Sequence, residues 1–284
     1  MLACLLCPVP GTPLDRQALD AAGAIAAALD CHVRALHVRP DPLAFVPYLG
    51  EGMSPGAIDA MIADAQRRGE EREAIARRIF DGWARDRGIP AAEGPGAAGP
   101  SCSWRREDGS EDAWIVQHGR LADMTVLPVP GSEPGPAASA AAEAALIETG
   151  RPVLLVPAAP IALGGPAIVA WNASTQAARA AAAALPLLAR ARSVEVVSVD
   201  EPGRPADPQA LAQWLRWHRI GATARRVARG DQGIAAALDD ACAQAGATLL
   251  VMGGYTHSRL RELIFGGVTA HALRAARIPV LMAH

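Results

Sequence analysis

The chain runs through one pattern twice. Short apolar runs rich in β-branched residues alternate with longer segments of helical period, and the series restarts near the middle. In the first half the strand-like runs are Leu2–Val9, His32–Arg39, Ser101–Glu107, Met124–Val129 and Val153–Val156. In the second they are Ala167–Trp171, Ser193–Val199, Ala222–Ala228, Thr248–Met252 and Val280–Ala283. Helical segments are predicted at Leu14–Leu29, Ile58–Trp83, Asp112–Leu121 and Ala138–Glu148, then at Gln176–Arg190, Pro208–Arg219, Gly233–Gln244 and Val268–Ala275. Such alternation dictates parallel sheets built of right-handed β-α-β units, five strands to each half. A repeat of this length means two related domains, 1–158 and 164–284, rather than a solenoid.

The halves correspond locally. Val9-Pro10-Gly11-Thr12 lines up with Trp171-Asn172-Ala173-Ser174, each leaving the first strand for a helix. Gly150-Arg151-Pro152-Val153-Leu154 lines up with Arg277-Ile278-Pro279-Val280-Leu281, each entering the last strand. The Pro/Gly/Ala stretch from Pro157 to Pro166 is the linker. Only the first half has a long helical segment, on which Ile58, Met61, Ile62, Ala65, Ile75, Ile79 and Trp83 recur at helical spacing. The charged run Arg67–Glu73 is expected on its solvated face, and a Pro/Gly/Ala loop, Pro90–Pro100, follows.

Composition narrows the partners. With 284 residues, 51% hydrophobic and 20% charged, the chain can bury a substantial core. A net charge of −2 gives no electrostatic case for nucleic acid or an anionic membrane as partner. All 27 basic residues are arginine, which excludes a lysine-dependent phosphate loop and Schiff-base chemistry. Five cysteines are an odd count in a chain too large to need staples. Cys4 and Cys7 read as C-x-x-C, but residues three apart on a strand face opposite ways and cannot share a metal. No apolar span is long enough for a bilayer, and no basic region precedes Leu2, so a cytoplasmic location is expected.

The richest local signal is Val251-Met252-Gly253-Gly254-Tyr255-Thr256-His257-Ser258-Arg259-Leu260-Arg261, continuing through Phe265-Gly266-Gly267-Val268-Thr269. A strand breaks into glycines, a polar and basic loop follows, and a helix begins at the second glycine pair. Backbone N–H groups at a helix N-terminus make an anion site, to which Arg259, Arg261 and His257 would add donors. The same residues also suit a tight strand-to-helix connection in which glycine only permits unusual backbone angles. The first half has Pro128-Val129-Pro130-Gly131-Ser132-Glu133 in its place. Proline lacks the N–H, and Glu133 would repel phosphate, so the first half is expected to have lost any anion site.

Other polar residues read more plainly. Ser174 suits a helix N-cap rather than a nucleophile. Asp239 and Asp240 are adjacent on a helix and point apart, a poor acid/base pair. His257 is expected to be solvated, and His271 to lie on the exposed or interdomain side of its helix. Trp214 and Trp217, with Leu211 and Leu215, are expected to form a packing face, the alternative being an exposed surface for a partner. Trp171, beside Asn172 at a strand's carboxyl end, could flank a ligand's ring. No catalytic residue and no metal ligand set emerges.

Two tandem five-stranded halves with these motifs resemble the universal stress protein family in its tandem form. The likeness spans nearly the whole chain and is strongest at Asn172–Arg179 and Gly253–Thr269. It implies two flavodoxin-like domains of strand order 3-2-1-4-5 with helices on both faces. Nucleotide-binding members carry Gly, two residues, Gly, nine residues, then Gly followed by Ser or Thr. On this chain those positions are Gly253, Thr256, Gly266 and Gly267, with Val268 following. An aspartate that contacts the nucleoside falls on Asn172, and the adenine contact at the end of strand two falls on Val199. The spacing survives while three residues depart from the pattern. The resemblance therefore implies a stress-response regulator with at most one site, for ATP or another adenine nucleotide, which the protein does not require. The alternative is a nucleotide-free module for a protein partner. Weak ATPase activity ranks last, because no base with an oriented nucleophile is present. Family dimers pair through their last strands, so Val153–Val156 and Val280–Ala283 would pair within the chain as an intrachain pseudo-dimer, and a homodimer could form beyond it.

Overall fold

A computed structural model describes residues 2–43, 54–94, 99–129, 136–158, 161–201, 206–254 and 267–284. The first half runs β1 (Cys4–Pro8), α1 (Asp15–Leu29), β2 (His32–Arg39), α2 (Pro55–Arg87), β3 (Ser101–Asp108), α3 (Glu111–Arg120), β4 (Met124–Pro128), α4 (Pro136–Glu148) and β5 (Val153–Val156). The second runs β6 (Pro166–Ala170), α5 (Thr175–Leu188), β7 (Ser193–Val199), α6 (Pro208–Trp217), β8 (Ala222–Val227), α7 (Gly233–Ala245), β9 (Leu249–Gly253), α8 (Gly267–Ala275) and β10 (Val280–Ala283).

The strands lie in the order β3-β2-β1-β4-β5-β10-β9-β6-β7-β8. Each half is thus a parallel sheet of order 3-2-1-4-5, as the family resemblance implies. The halves join where β5 meets β10 antiparallel, with Leu154 opposite Leu281. Two short, fully apolar edges are thereby buried against each other instead of facing water.

Both core layers cross this seam. On one face α1, α2, α5 and α6 cover Leu5, Cys7, Leu154, Val169, Val196 and Leu281. On the other, α3, α4, α7 and α8 cover Leu6, Leu36, Leu155, Ile168, Val197 and Met282. Cys7 lies in the first layer and Leu6 in the second, so alternation puts Cys4 opposite Cys7 as the C-x-x-C argument requires. Burial raises the thiol pKa of Cys31 and Cys242 to about 12 and that of Cys102 to about 11. At neutral pH these thiols are neutral small hydrophobes.

The helix α2 is longer than the apolar periodicity predicts. Ser54 caps its start, accepting from Ala57 N at 3.3 Å, and Pro55 follows with φ already suited to a helix. Gly88 ends it in the left-handed region at φ 61. Its 33 residues span about 50 Å, against about 26 Å for β2. It reaches the sheet at Gly69, buried against Arg39, and its lower part packs through Ala76, Phe80 and Trp83. Two expectations need correction. Ile75 and Met61 are each 39% exposed, because Ala76 and Phe80 carry the burial instead. The charged run is solvated at Arg67, Arg68, Glu70, Glu71 and Arg72, but Gly69 turns inward.

Candidate functional site

In a sheet of this order, ligands sit at the carboxyl ends of the strands where chain direction switches, here between β6 and β9. Past β6, Trp171 N donates to Val197 O at 2.8 Å, and Trp171 O accepts from Ser198 Oγ at 2.7 Å. Asn172 is exposed, and its Oδ1 accepts from Ser174 N (3.2 Å) and Ser174 Oγ (2.7 Å). Ala173 is left-handed, with φ 57. Ser174 then caps α5, accepting from Ala177 N at 3.1 Å, as its residue type and position predict. The side-chain oxygen of Asn172 is therefore already shared with the cap. Val199, at the end of β7, is half-buried against the second core layer.

Gly253 closes β9 directly against the first turn of α5. A Cβ there would stand 2.7 Å from Ala177 N and 2.9 Å from Gln176 C. Gly254 N donates to Ala283 O at 2.8 Å, and a Cβ on it would stand 2.9 Å from a methyl of Leu146 in α4. The first two glycines thus have packing reasons for being glycine, the second of them reaching across the seam. Thr256, His257, Arg259 and Gly266 lie outside the described residues. Gly267 opens α8, and Val268 is half-buried.

The first half repeats this geometry with different chemistry. Val9 N donates to Leu36 O at 2.8 Å, and Val9 O pairs with His37 Nδ1 at 2.8 Å. Val9 therefore stands where Trp171 stands, His37 where Ser198 does, and Gly11 (φ 88) where Ala173 does. Val129 N donates to Val156 O as Gly254 N does to Ala283 O, so Pro128 occupies the place of Gly253. Here the mouth is shut. A Cβ on Gly11 would stand 2.6 Å from the carbonyl oxygen of Arg72, because α2 lies directly over it. Beneath, Asp15 is 1% exposed and accepts from Gly11 N (2.7 Å), Thr12 N (3.0 Å) and Thr12 Oγ1 (2.6 Å). Burial raises its carboxyl pKa, against the opposing pull of those bonds and of His37. Glu111, at the start of α3, is raised by burial too; Arg72 works against this, while Asp15 and Asp112 add to it. An anion entering here would meet two carboxyl groups and the backbone of α2.

Elsewhere His271 Nε2 pairs with Asp239 Oδ2 at 2.7 Å, joining α8 to α7. Trp214 packs on the core as expected, but Trp217 does not: it is 83% exposed. The packing-face expectation is corrected at that residue, because α6 turns Pro208, Leu211, Ala212 and Leu215 fully inward and not Trp217. Sequence reading also missed Asp15, His37 and Leu146. Asp15 could have been found as an acid in the first turn of a predicted helix, whereas nothing local marks Leu146. Among the described residues, no group of three His, Cys, Asp or Glu side chains could hold a metal. No helix among them is long and apolar enough to cross a membrane.

Two five-stranded parallel α/β units joined through their last strands define the structural class. A universal stress protein from Archaeoglobus fulgidus has this arrangement over 99% of this chain and 95% of its own, with a TM-score of 0.70 at 15% identity. A functionally unknown protein from Pseudomonas aeruginosa PAO1 matches over 99% of this chain and 92% of its own, with a TM-score of 0.56 at 15% identity. No family model matches the sequence, and no curated protein does. The chain has the tandem universal stress protein fold.

Proposed function

We propose that this chain is a tandem universal stress family protein, a cytoplasmic stress-response regulator holding one adenine-nucleotide or anion site, in its second half. The observation that carries this reading is the asymmetry of the two crevices. In the first half α2 covers Gly11, with the buried carboxyl of Asp15 and the half-buried one of Glu111 beneath it, whereas past β6 the residues Asn172 and Ala173 are exposed. Gly253, Thr256, Gly266, Gly267 and Val268 would face the phosphates, with His257 and Arg259 as added donors, and Asn172 and Val199 would face the nucleoside. The departures from the family pattern weaken such a site. One lost hydroxyl bond costs roughly 0.5–1.5 kcal/mol, about tenfold or less in affinity. A Cβ where glycine would take positive φ costs about 1–2 kcal/mol more. The ligand is therefore a modulator bound weakly, and no cofactor is required for folding.

The test is mass spectrometry of the purified protein for co-purified nucleotide, followed by ATP titration. Binding weaker than millimolar hands the function to the second reading, a nucleotide-free interaction module in which the glycines serve packing. That reading draws support from the crowding at Gly253 and Gly254. Within the first reading, Thr256→Gly combined with Gly267→Ser should tighten ATP binding by about tenfold. Unchanged or weaker affinity would remove these two residues as the cause.

A further inference from the structure

The net charge of −2 conceals a division. Residues 1–163 carry 14 arginines against 21 acidic residues, a balance of −7; residues 164–284 carry 13 against 8, a balance of +5. Part of that excess gathers at one place. The tip after α5 holds Arg190 and Arg192; the end of α6 and the turn beyond it hold Arg216, Trp217, His218 and Arg219, all exposed. The two tips are neighbours, because they lead into the paired strands β7 and β8, where Val194 lies opposite Ala222. Neither helix contains an acidic residue, nor do the residues that join them to these strands. The nearest carboxylate along the chain, Glu195, points to the opposite face, where it pairs with Arg225 at 2.9 Å. Among the described residues none of the four guanidinium groups has a hydrogen-bond or ion-pair partner.

Part of this charge has a local use. Two helix C-termini end here, each about half a negative charge, so roughly one of the four positive charges is offset. About three remain around an indole 83% open to solvent. On the preceding turn Trp214 packs on the core with its ring 4.4 Å from that of His218. Tryptophan and arginine are the side chains that most often dominate protein interfaces.

We propose that this tip of the second half is a docking surface for a partner protein, which presents a short acidic segment with an apolar residue to receive Trp217. The chemistry favours a peptide over a nucleic acid strand. A polyphosphate needs a positive track several nucleotides long. Here the exposed residues leading away along α5 and α6 are Thr175, Ala178, Ala182, Gln209, Ala210 and Gln213, all uncharged, and one cation, Arg179, three turns from the tip, which donates to the carbonyl oxygen of His284 at 2.9 Å. Clustered positive charge gathers at one end, with a single arginine, already bonded, at the other. The proposal is independent of nucleotide binding.

The probe is a fluorescein-labelled ten-residue peptide alternating glutamate and leucine, followed by anisotropy with the full chain at low and high salt. The peptide should bind, and more weakly as salt rises. Trp217→Ala should weaken it about tenfold or more. Arg190→Gln with Arg219→Gln should weaken it and flatten the salt dependence. Because these side chains are exposed, melting temperatures should stay at the parent value, which separates lost docking from lost fold. Three outcomes overturn the proposal: no binding below millimolar, a Trp217→Ala variant that binds equally well, or tighter binding of a ten-nucleotide oligothymidylate than of the peptide.

Discussion

At the scale of single residues, the two halves differ by what stands at equivalent points. Gly11 and Ala173 both turn the chain through the left-handed region, yet one lies under a helix and the other faces water. The carboxyl groups below α2 leave a signature in stability. Glu111 has its pKa raised in the folded state, chiefly by burial, so folding favours its protonated form. Its stabilising contribution is complete below the ordinary glutamate value of 4.5 and is lost as pH rises through the higher folded value. Glutamine mimics the protonated form at every pH. The stability of Glu111→Gln relative to the parent should therefore rise between pH 4 and pH 7 in urea melts. A difference that does not change with pH would show that this carboxyl titrates alike in both states.

At the scale of elements, the contact of greatest consequence is between α4 and the start of the glycine loop. Leu146 lies against Gly254 across the β5–β10 seam. Gly254→Ala pushes a methyl into it and should cost about 1–3 kcal/mol. Leu146→Ala leaves a cavity and should cost about 2–5 kcal/mol. In the double variant the new methyl moves into the vacated space, so the combined cost should fall below the sum in a denaturation cycle. Simple additivity would mean that the two positions do not touch. None of this was legible in the sequence. The strands were: β2, β5, β7 and β10 keep their expected bounds, and in β5 and β10 burial on both faces leaves no room for polar residues. The ends of α2 were not, since Ser54 and Gly88 cap polar turns that lack an apolar stripe. The glycine spacing was legible too, but not what presses on Gly253 and Gly254, because Ala177 and Leu146 are remote in sequence. Nor did any periodicity place the carbonyl of Arg72 over Gly11 or leave Trp217 in water.

At the scale of the whole molecule, the seam makes the halves mutually dependent. Leu154 and Leu281 pair across it, and each core layer draws residues from both sides. A fragment ending at residue 158 would expose β5 along its whole length. Size-exclusion chromatography with light scattering should find that fragment as a dimer or aggregate. A folded monomer would show that the halves are independent. The outer edges of the full sheet are guarded differently: β3 carries Arg105 and Arg106, and β8 carries Arg225 and Arg226, in ion pairs that discourage further strand addition.

A helix lying over Gly11 matters beyond the first half itself. When identical subunits associate, every substitution is copied into both, so neither can be retired without the other. Covalent fusion lifts that constraint, and here one lobe has been given over to support. On the function proposed above, each particle would have a single vacancy to fill, and its occupancy would follow a simple hyperbola in ligand concentration rather than a threshold.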